Sequence, residues 1–408
     1  MKYLPLLAFL LICSQVLAAK PLKVFILAGQ SNMEGHAKIS SFDHIGMDPK
    51  TVPMLEAMRA KDGSPRVCDD VWISYFTGSG EGGEGFGKLT AGYGSRSDAA
   101  VAGEKIGPEF TFGIYMQKMV NEPILIIKTA WGGKSLHTDF RPPSAGPYAF
   151  NESQLANIAK QGKDLEKIKE ERAEATGRYY RLMTEHVHRV LKDVKRVVPS
   201  YDPKQGVELA GFVWFQGWND MVAQDVYPTR DKPGGYDLYS ELMATFIRDV
   251  RKEFEAPKMP FVIGVMGAGG PTDLYGDNQK RYKGVHDNFR NAMAAPADLP
   301  EFKGNVTAVR TENYWDPELD AVAEKKSNIA AEARRLKDEN KGYPKKAGTI
   351  SPKEQNERVE AMRAELITPR DLELLKGITN ADYHYKGSAK ILGQIGKAFA
   401  EAVYELQP

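Results

Sequence analysis

The sequence predicts an α/β protein built on a doubly wound parallel sheet, and three observations lead there. Short apolar runs rich in β-branched and aromatic residues recur along the chain without alternating polar positions, as strands buried on both faces do. Amphipathic helical patterns separate them, which implies right-handed strand–helix–strand units. The chain's 408 residues, 42% hydrophobic and 10% aromatic, argue against disorder and allow one large domain or two to three smaller ones.

The elements follow in order. Residues Met1 to Ala18 have the anatomy of a secretory signal: Lys2 at the positive end, an apolar core from Leu4 to Ile12, and the small-residue site Val16-Leu17-Ala18. The apolar run is short for a membrane span. The expectation is a secreted or periplasmic protein, with residues 19–408 forming one domain. Strands are expected at Val24–Ala28, Val71–Phe76, Ile124–Lys128, Phe212–Phe215 and Phe261–Met266, with a weaker sixth at Val306–Val309. Helices are expected over about Phe110–Met119, Gln154–Val197, Leu238–Phe254 and Lys386–Leu406. The Gly-rich stretch from Thr77 to Gly94 reads as a long loop. Two helical stretches, about 151–198 and 318–373, read as insertions. In the second, 24 of 56 residues are charged, a solvated composition, and Ser351-Pro352 with Glu354 three residues after Ser351 predicts a capping box.

Charge and cysteine content exclude several classes. With 55 Lys+Arg against 54 Asp+Glu, the net charge of +1 lacks the basic excess of nucleic-acid or anionic-membrane binders. Loss of residues 1–18 would leave one cysteine, Cys68, so neither an internal disulfide nor a zinc site built on cysteine pairs is expected. Gly78-Ser-Gly80-Glu-Gly-Gly83 matches a dinucleotide-binding pattern formally, but further glycines break the chain where a helix should start, and Glu81 and Glu84 would repel a pyrophosphate.

Four segments carry chemistry. Gly29-Gln30-Ser31-Asn32 ends the first strand, where open α/β sheets bind ligands; Ser31 could present a nucleophilic hydroxyl there or serve only as a helix cap. Trp131-Gly132-Gly133 ends another strand, and its glycines let backbone approach a ligand or simply make a tight turn. Gln216, in Trp214-Phe215-Gln216-Gly217-Trp218-Asn219-Asp220, carries an amide able to donate to an oxyanion, or is a satisfied buried amide. His384, in Asn380-Ala381-Asp382-Tyr383-His384, lies in a loop beside a carboxylate after all the strands, as a base would. His36 and His137 border these loops.

In this order, Gly-Gln-Ser-Asn-Met, Trp-Gly-Gly, Trp-x-Gln-Gly and Asp-x-His resemble the sialate O-acetylesterase-like carbohydrate esterases of the SGNH hydrolase superfamily, over roughly Lys23 to Tyr404. The resemblance implies a three-layer α/β/α sandwich with a central, mainly five-stranded parallel sheet. It implies Ser31 as nucleophile, His384 as base, and an oxyanion hole from the N–H groups of Ser31 and of Gly132 or Gly133 with the Gln216 side chain. The substrate implied is an O-acetylated carbohydrate, with no metal or organic cofactor. The superfamily's Asp three residues before the catalytic histidine is replaced here by Ala381, leaving Asp382 as first and Asp220 as second choice for the acid. Trp131 and Trp218 are candidates to stack on sugar rings, and Arg141 to bind an acidic sugar. A short-chain, aryl or lipase-like esterase, and a carbohydrate-binding protein that keeps the fold without activity, are the competing readings.

Overall fold

A computed structural model describes residues 20–78 and 82–407; the expected signal segment 1–18 and the middle of the Gly-rich stretch lie outside the described residues. Nine strands are present there: β1 Leu22–Gly29, β2 Ala37–Lys38, β3 Val71–Thr77, β4 Gly83–Lys88, β5 Lys105–Ile106, β6 Ile124–Ala130, β7 Val207–Phe215, β8 Phe261–Val265 and β9 Val306–Arg310. Seven form one sheet in the order β4-β3-β6-β1-β7-β8-β9, and β2 and β5 form a separate antiparallel pair. All neighbours in the large sheet are parallel except β4 against β3. The six expected strands are therefore the six parallel ones, and the sheet is wider than the five strands implied by resemblance.

The alternation along β1 shows why both faces are covered. Val24, Ile26 and Ala28 join one buried cluster, packed with residues of helices Arg178–Lys192 and Asp237–Glu253. Phe25 and Leu27 join the other, packed with Glu109–Val120 and Ala389–Glu405. Successive side chains point to opposite faces, so a strand with no polar position must be sandwiched. This is the three-layer α/β/α arrangement.

Two expectations need correction. Gly83–Lys88 is an edge strand, pairing antiparallel with β3, rather than loop. Its glycines fit close neighbours: a Cβ at Gly85 would lie 1.9 Å from the Ala99 carbonyl oxygen. The continuous helix expected over Gln154–Val197 is four pieces, Glu152–Lys160, Leu165–Ala175, Arg178–Lys192 and Val194–Val197. Gly162 and Gly177 adopt φ of 62° and 67°, which end the preceding turns, and Asp164 restarts the chain by accepting from the N–H groups of Glu166 and Lys167. The capping box at Ser351 and Glu354 is present, opening helix Pro352–Leu366. Cys68 is buried, and burial pushes its thiol up to about 11.

The last helix begins at Ala389, three residues later than its amphipathic pattern suggests, because Tyr385, Lys386 and Gly387 take left-handed φ values of 52°, 57° and 57°. Such conformations at non-glycine residues cost about 1–3 kcal/mol each and persist only where surroundings enforce them. Here the Tyr385 hydroxyl accepts from the Gly267 N–H at 2.7 Å and pairs with the Thr311 hydroxyl at 2.6 Å. The fully buried Lys386 ammonium bonds Asp382 at 2.9 Å and Asp320 at 3.0 Å, and lies over the Trp315 ring. The Lys386 carbonyl accepts from the N–H groups of Thr379 and Asn380. The segment before the last helix is thus clamped from three sides.

Replacing Lys386 by Met should remove the ionic clamp while leaving two partly exposed aspartates that water can solvate. We expect a stability loss of about 1–3 kcal/mol in chemical denaturation, the size of the strain left unsupported. Amide exchange should accelerate most over residues 381–387.

Candidate active site

Backbone register fixes the site. Gly29 pairs with Ala130 of β6 on one side and Phe215 of β7 on the other, so three neighbouring strands end level. Their next residues, Gln30-Ser31, Trp131-Gly132 and Gln216-Gly217, share one crevice at the carboxyl edge, where open α/β sheets bind ligands. The approach is tight: a Cβ on Gly29 would lie 2.1 Å from the Phe215 carbonyl oxygen, and one on Gly132 only 3.7 Å from Ser31 Cβ.

Ser31 opens a helix of four residues, Ser31–Glu34, that closes at Gly35. A helix this short adds little dipole to an oxyanion site. Ser31 is 8% exposed, and its backbone N–H has no acceptor among the described residues. The Gly133 N–H is likewise free, whereas the Gly132 N–H faces the Glu34 carboxylate. Burial raises Glu34 above the usual carboxylate range against the pull of the Thr77 hydroxyl and the Lys128 charge. Beneath it, Lys128 is fully buried, bonded to the Glu34 carbonyl, the Tyr93 carbonyl and Glu109. Glu109, the first residue of helix Glu109–Val120, is the buried partner of that lysine and also accepts from the Gly107 N–H.

The His384 loop meets the Ser31 turn through Asn32, whose amide donates to the Tyr383 carbonyl at 3.1 Å. His384 Nδ1 lies 2.9 Å from Asn380 Oδ1, which also accepts from the Ala381 N–H at 2.8 Å. An amide oxygen only accepts, so Nδ1 carries the hydrogen and Nε2 keeps its lone pair. Burial first, then the charge of Lys105, lowers His384 to about 4. No hydrogen bond joins Ser31 to His384.

Both expected acids are elsewhere. Asp382 is turned out, 64% exposed and paired with Lys386, because the left-handed turn at 385–387 folds that lysine back beneath it. Asp220 is buried and accepts from the backbone N–H groups of Leu136 and His137, the Gln216 amide and the Tyr227 hydroxyl. It braces the loop after β6 and does not reach the imidazole.

Gln216 is also committed. Its Nε2 faces Gln30 Oε1 at 3.1 Å, the Lys134 carbonyl at 3.0 Å and Asp220 at 2.6 Å, while Oε1 accepts from Tyr239. Two N–H bonds against three acceptors leave none for a ligand. Its work is to fix Gln30, whose Nε2 donates to Asn219 Oδ1 at 3.1 Å. With its oxygen so held, the half-buried Asn219 has an amide NH2 with no acceptor among the described residues. Sequence position gives Asn219 and Asn380 only weak signals, an amide four residues past the end of β7 and another four residues before His384.

The substrate-contact candidates divide. Trp131 is 2% exposed, its ring wedged among Phe76, Phe140 and Tyr179, so it is core. Arg141 donates to the carbonyls of His137, Ala145 and Gly146, tying down its own loop. Trp218 is half-buried beside Tyr383, ring centroids 5.5 Å apart, and Tyr383 is 44% exposed. This aromatic pair borders the His384 loop.

Among the described residues no helix is long and apolar enough to cross a membrane. No curated protein matches the chain. Among solved structures, a carbohydrate acetylesterase from Xanthomonas citri is 15% identical, covering 70% of this chain and 49% of its own, with a TM-score of 0.36. The chain thus spans about half the length of that relative. An Arabidopsis thaliana protein is 15% identical, covering 85% and 100%, with a TM-score of 0.37. NanS is 12% identical, covering 72% and 79%, with a TM-score of 0.35. The family model for carbohydrate esterase, sialic acid-specific acetylesterase, matches residues 90–313, more than half of the chain. The chain belongs to that family.

Proposed function

We propose that this protein is a serine esterase that removes O-acetyl groups from a carbohydrate. The observation carrying the reading is the tautomer of His384: Asn380 holds Nδ1–H, leaving a basic Nε2 on the loop that Asn32 docks against the Ser31 turn. Ser31 Oγ attacks the acetyl carbonyl and its proton passes to His384 Nε2. The N–H groups of Ser31 and Gly133 with the Asn219 amide receive the developing oxyanion; Asn219 takes the role expected of Gln216. The sugar–oxygen leaving group departs with the proton from His384, leaving acetyl-Ser31. Water, deprotonated by the same imidazole, then releases acetate. Trp218 and Tyr383 offer the sugar a stacking face. The family supports the carbohydrate ester, and the signal-like residues 1–18 support export to where such glycans occur.

An amide behind the imidazole sets the tautomer but adds no charge to stabilise imidazolium. The folded value of about 4 lies below the ordinary 6.5, so His384 stays neutral and able to accept a proton from neutral pH down to about 4. The kcat/KM profile on p-nitrophenyl acetate should be flat through neutrality and fall on its acid side near pH 4.

The same assay tests the roles. Ser31→Ala should lose about ten-thousand-fold or more in kcat. Asn219→Ala should lose about 100- to 1,000-fold in kcat with KM little changed. Asn380→Ala should lose on the order of 100-fold, as expected for a misaimed base. Asp382→Asn should stay near wild type. Equal rates for Ser31→Ala and wild type would refute the nucleophile, and turnover favouring acyl chains well beyond acetyl would favour the lipase-like reading instead.

A further inference from the structure

One imidazole beside the site has no part in this chemistry. The ring of His36 lies flat on that of His384, centroids 3.9 Å apart and planes within 5°. It is 14% exposed, and neither ring nitrogen has a hydrogen-bond partner among the described residues. Glu34 Oε2 stands 3.8 Å from Nε2, beyond hydrogen-bonding range. Burying two unsatisfied nitrogens costs stability that an apolar side chain would not. The backbone holds the ring where it is. Gly35, at φ 86°, lets the chain pass so close to Gly107 that a Cβ would lie 1.9 Å from its Cα. Immediately after His36, β2 pairs with β5, and the Lys38 N–H donates to Thr379 beside the His384 loop.

We propose that His36 is a positioning residue for the reaction, its stacked ring fixing the plane of His384 against Asn380 and closing one face of that imidazole to water. The proposal rests on the reading of Ser31 and His384 as nucleophile and base.

The charges around the pair fit this role. Glu34, Lys105, Lys128 and His384 face His36; Lys105 faces His384, while Asp382 of its own loop is paired with Lys386. Two stacked imidazoles cannot both be charged at low cost, so His36 must be neutral when His384 takes the serine proton. Burial, then the charges of His384, Lys105 and Lys128, hold His36 at about 3, below His384 at about 4. Both rings, each lowered chiefly by burial, are neutral near neutral pH. Removing the covering ring hydrates one face of His384 and lets its value rise toward 6.5, so the acid limb of activity moves up in pH.

The test is kcat and KM against pH for the full chain, with His36→Ala, His36→Phe and His384→Ala compared, and the thermal midpoint of each recorded. We expect His36→Ala to move the acid limb up by about one pH unit or more and to lower kcat about 10- to 100-fold with KM little changed. His36→Phe, which keeps a flat ring, should restore the limb and most of kcat. Should His36→Ala fail to fold, His36→Leu fills the volume without a flat ring and makes the same comparison. An unshifted limb in the folded Ala or Leu variant overturns the proposal. So does a raised KM alone, which would make His36 a substrate contact. Wild-type activity in His384→Ala would instead defeat the underlying reading, whatever His36 does.

Discussion

The structure turns on the placing of β1 between β6 and β7. Because Gly29 lies level with Ala130 and Phe215, three strands release their chains at one height, and only glycine tolerates the Phe215 carbonyl that close. A one-residue shift would send every side chain of β1 to the opposite face and move Ser31 off the Gly132 turn. Packing on both faces of the sheet makes that shift prohibitive, so the hydrophobic core enforces the site's geometry.

The second constraint is the His384 loop, which no single strand end supplies. It is built from strained backbone, the buried Lys386 and the Tyr385 hydroxyl, and it binds the charged helical insertion to the site through Asp320. Proteins keep such strain where a functional group must be held in one orientation. The amide network of Gln30, Gln216, Asp220 and Asn219 does the same on the opposite side, each member fixing the orientation of the next. Hydrogen-bonded buried networks of this kind rigidify.

Much of this was legible in the sequence. Uninterrupted apolar runs located all six parallel strands, since burial on both faces leaves no polar position to disguise them. The capping box at Ser351 and Glu354 was legible because it is local. The Gly83–Lys88 strand was not, because its glycines answer to the close carbonyl of Ala99, a tertiary neighbour. The break of the 151–198 stretch lay in two glycines whose positive φ a periodic pattern ignores. At the site, strand ends marked Ser31 and the glycine turn, but spacing to the nearest carboxylate misled. The left-handed turn at 385–387 rotates Asp382 outward and brings Asn380 behind the ring, and no linear spacing encodes that rotation. Aromatic content suggested Trp131 and Trp218 equally; only packing separates a buried wedge from a half-open ring.

The central claim is a covalent acetyl intermediate on Ser31, formed with His384 as base. The most direct measurement is mass spectrometry of the protein quenched in acid during turnover of an acetyl ester, followed by peptide mapping. The account predicts one added acetyl group on the peptide containing Ser31, absent in Ser31→Ala and strongly reduced in His384→Ala. Steady turnover with no acetylated peptide, or acetylation at another residue while Ser31→Ala keeps its activity, would contradict it.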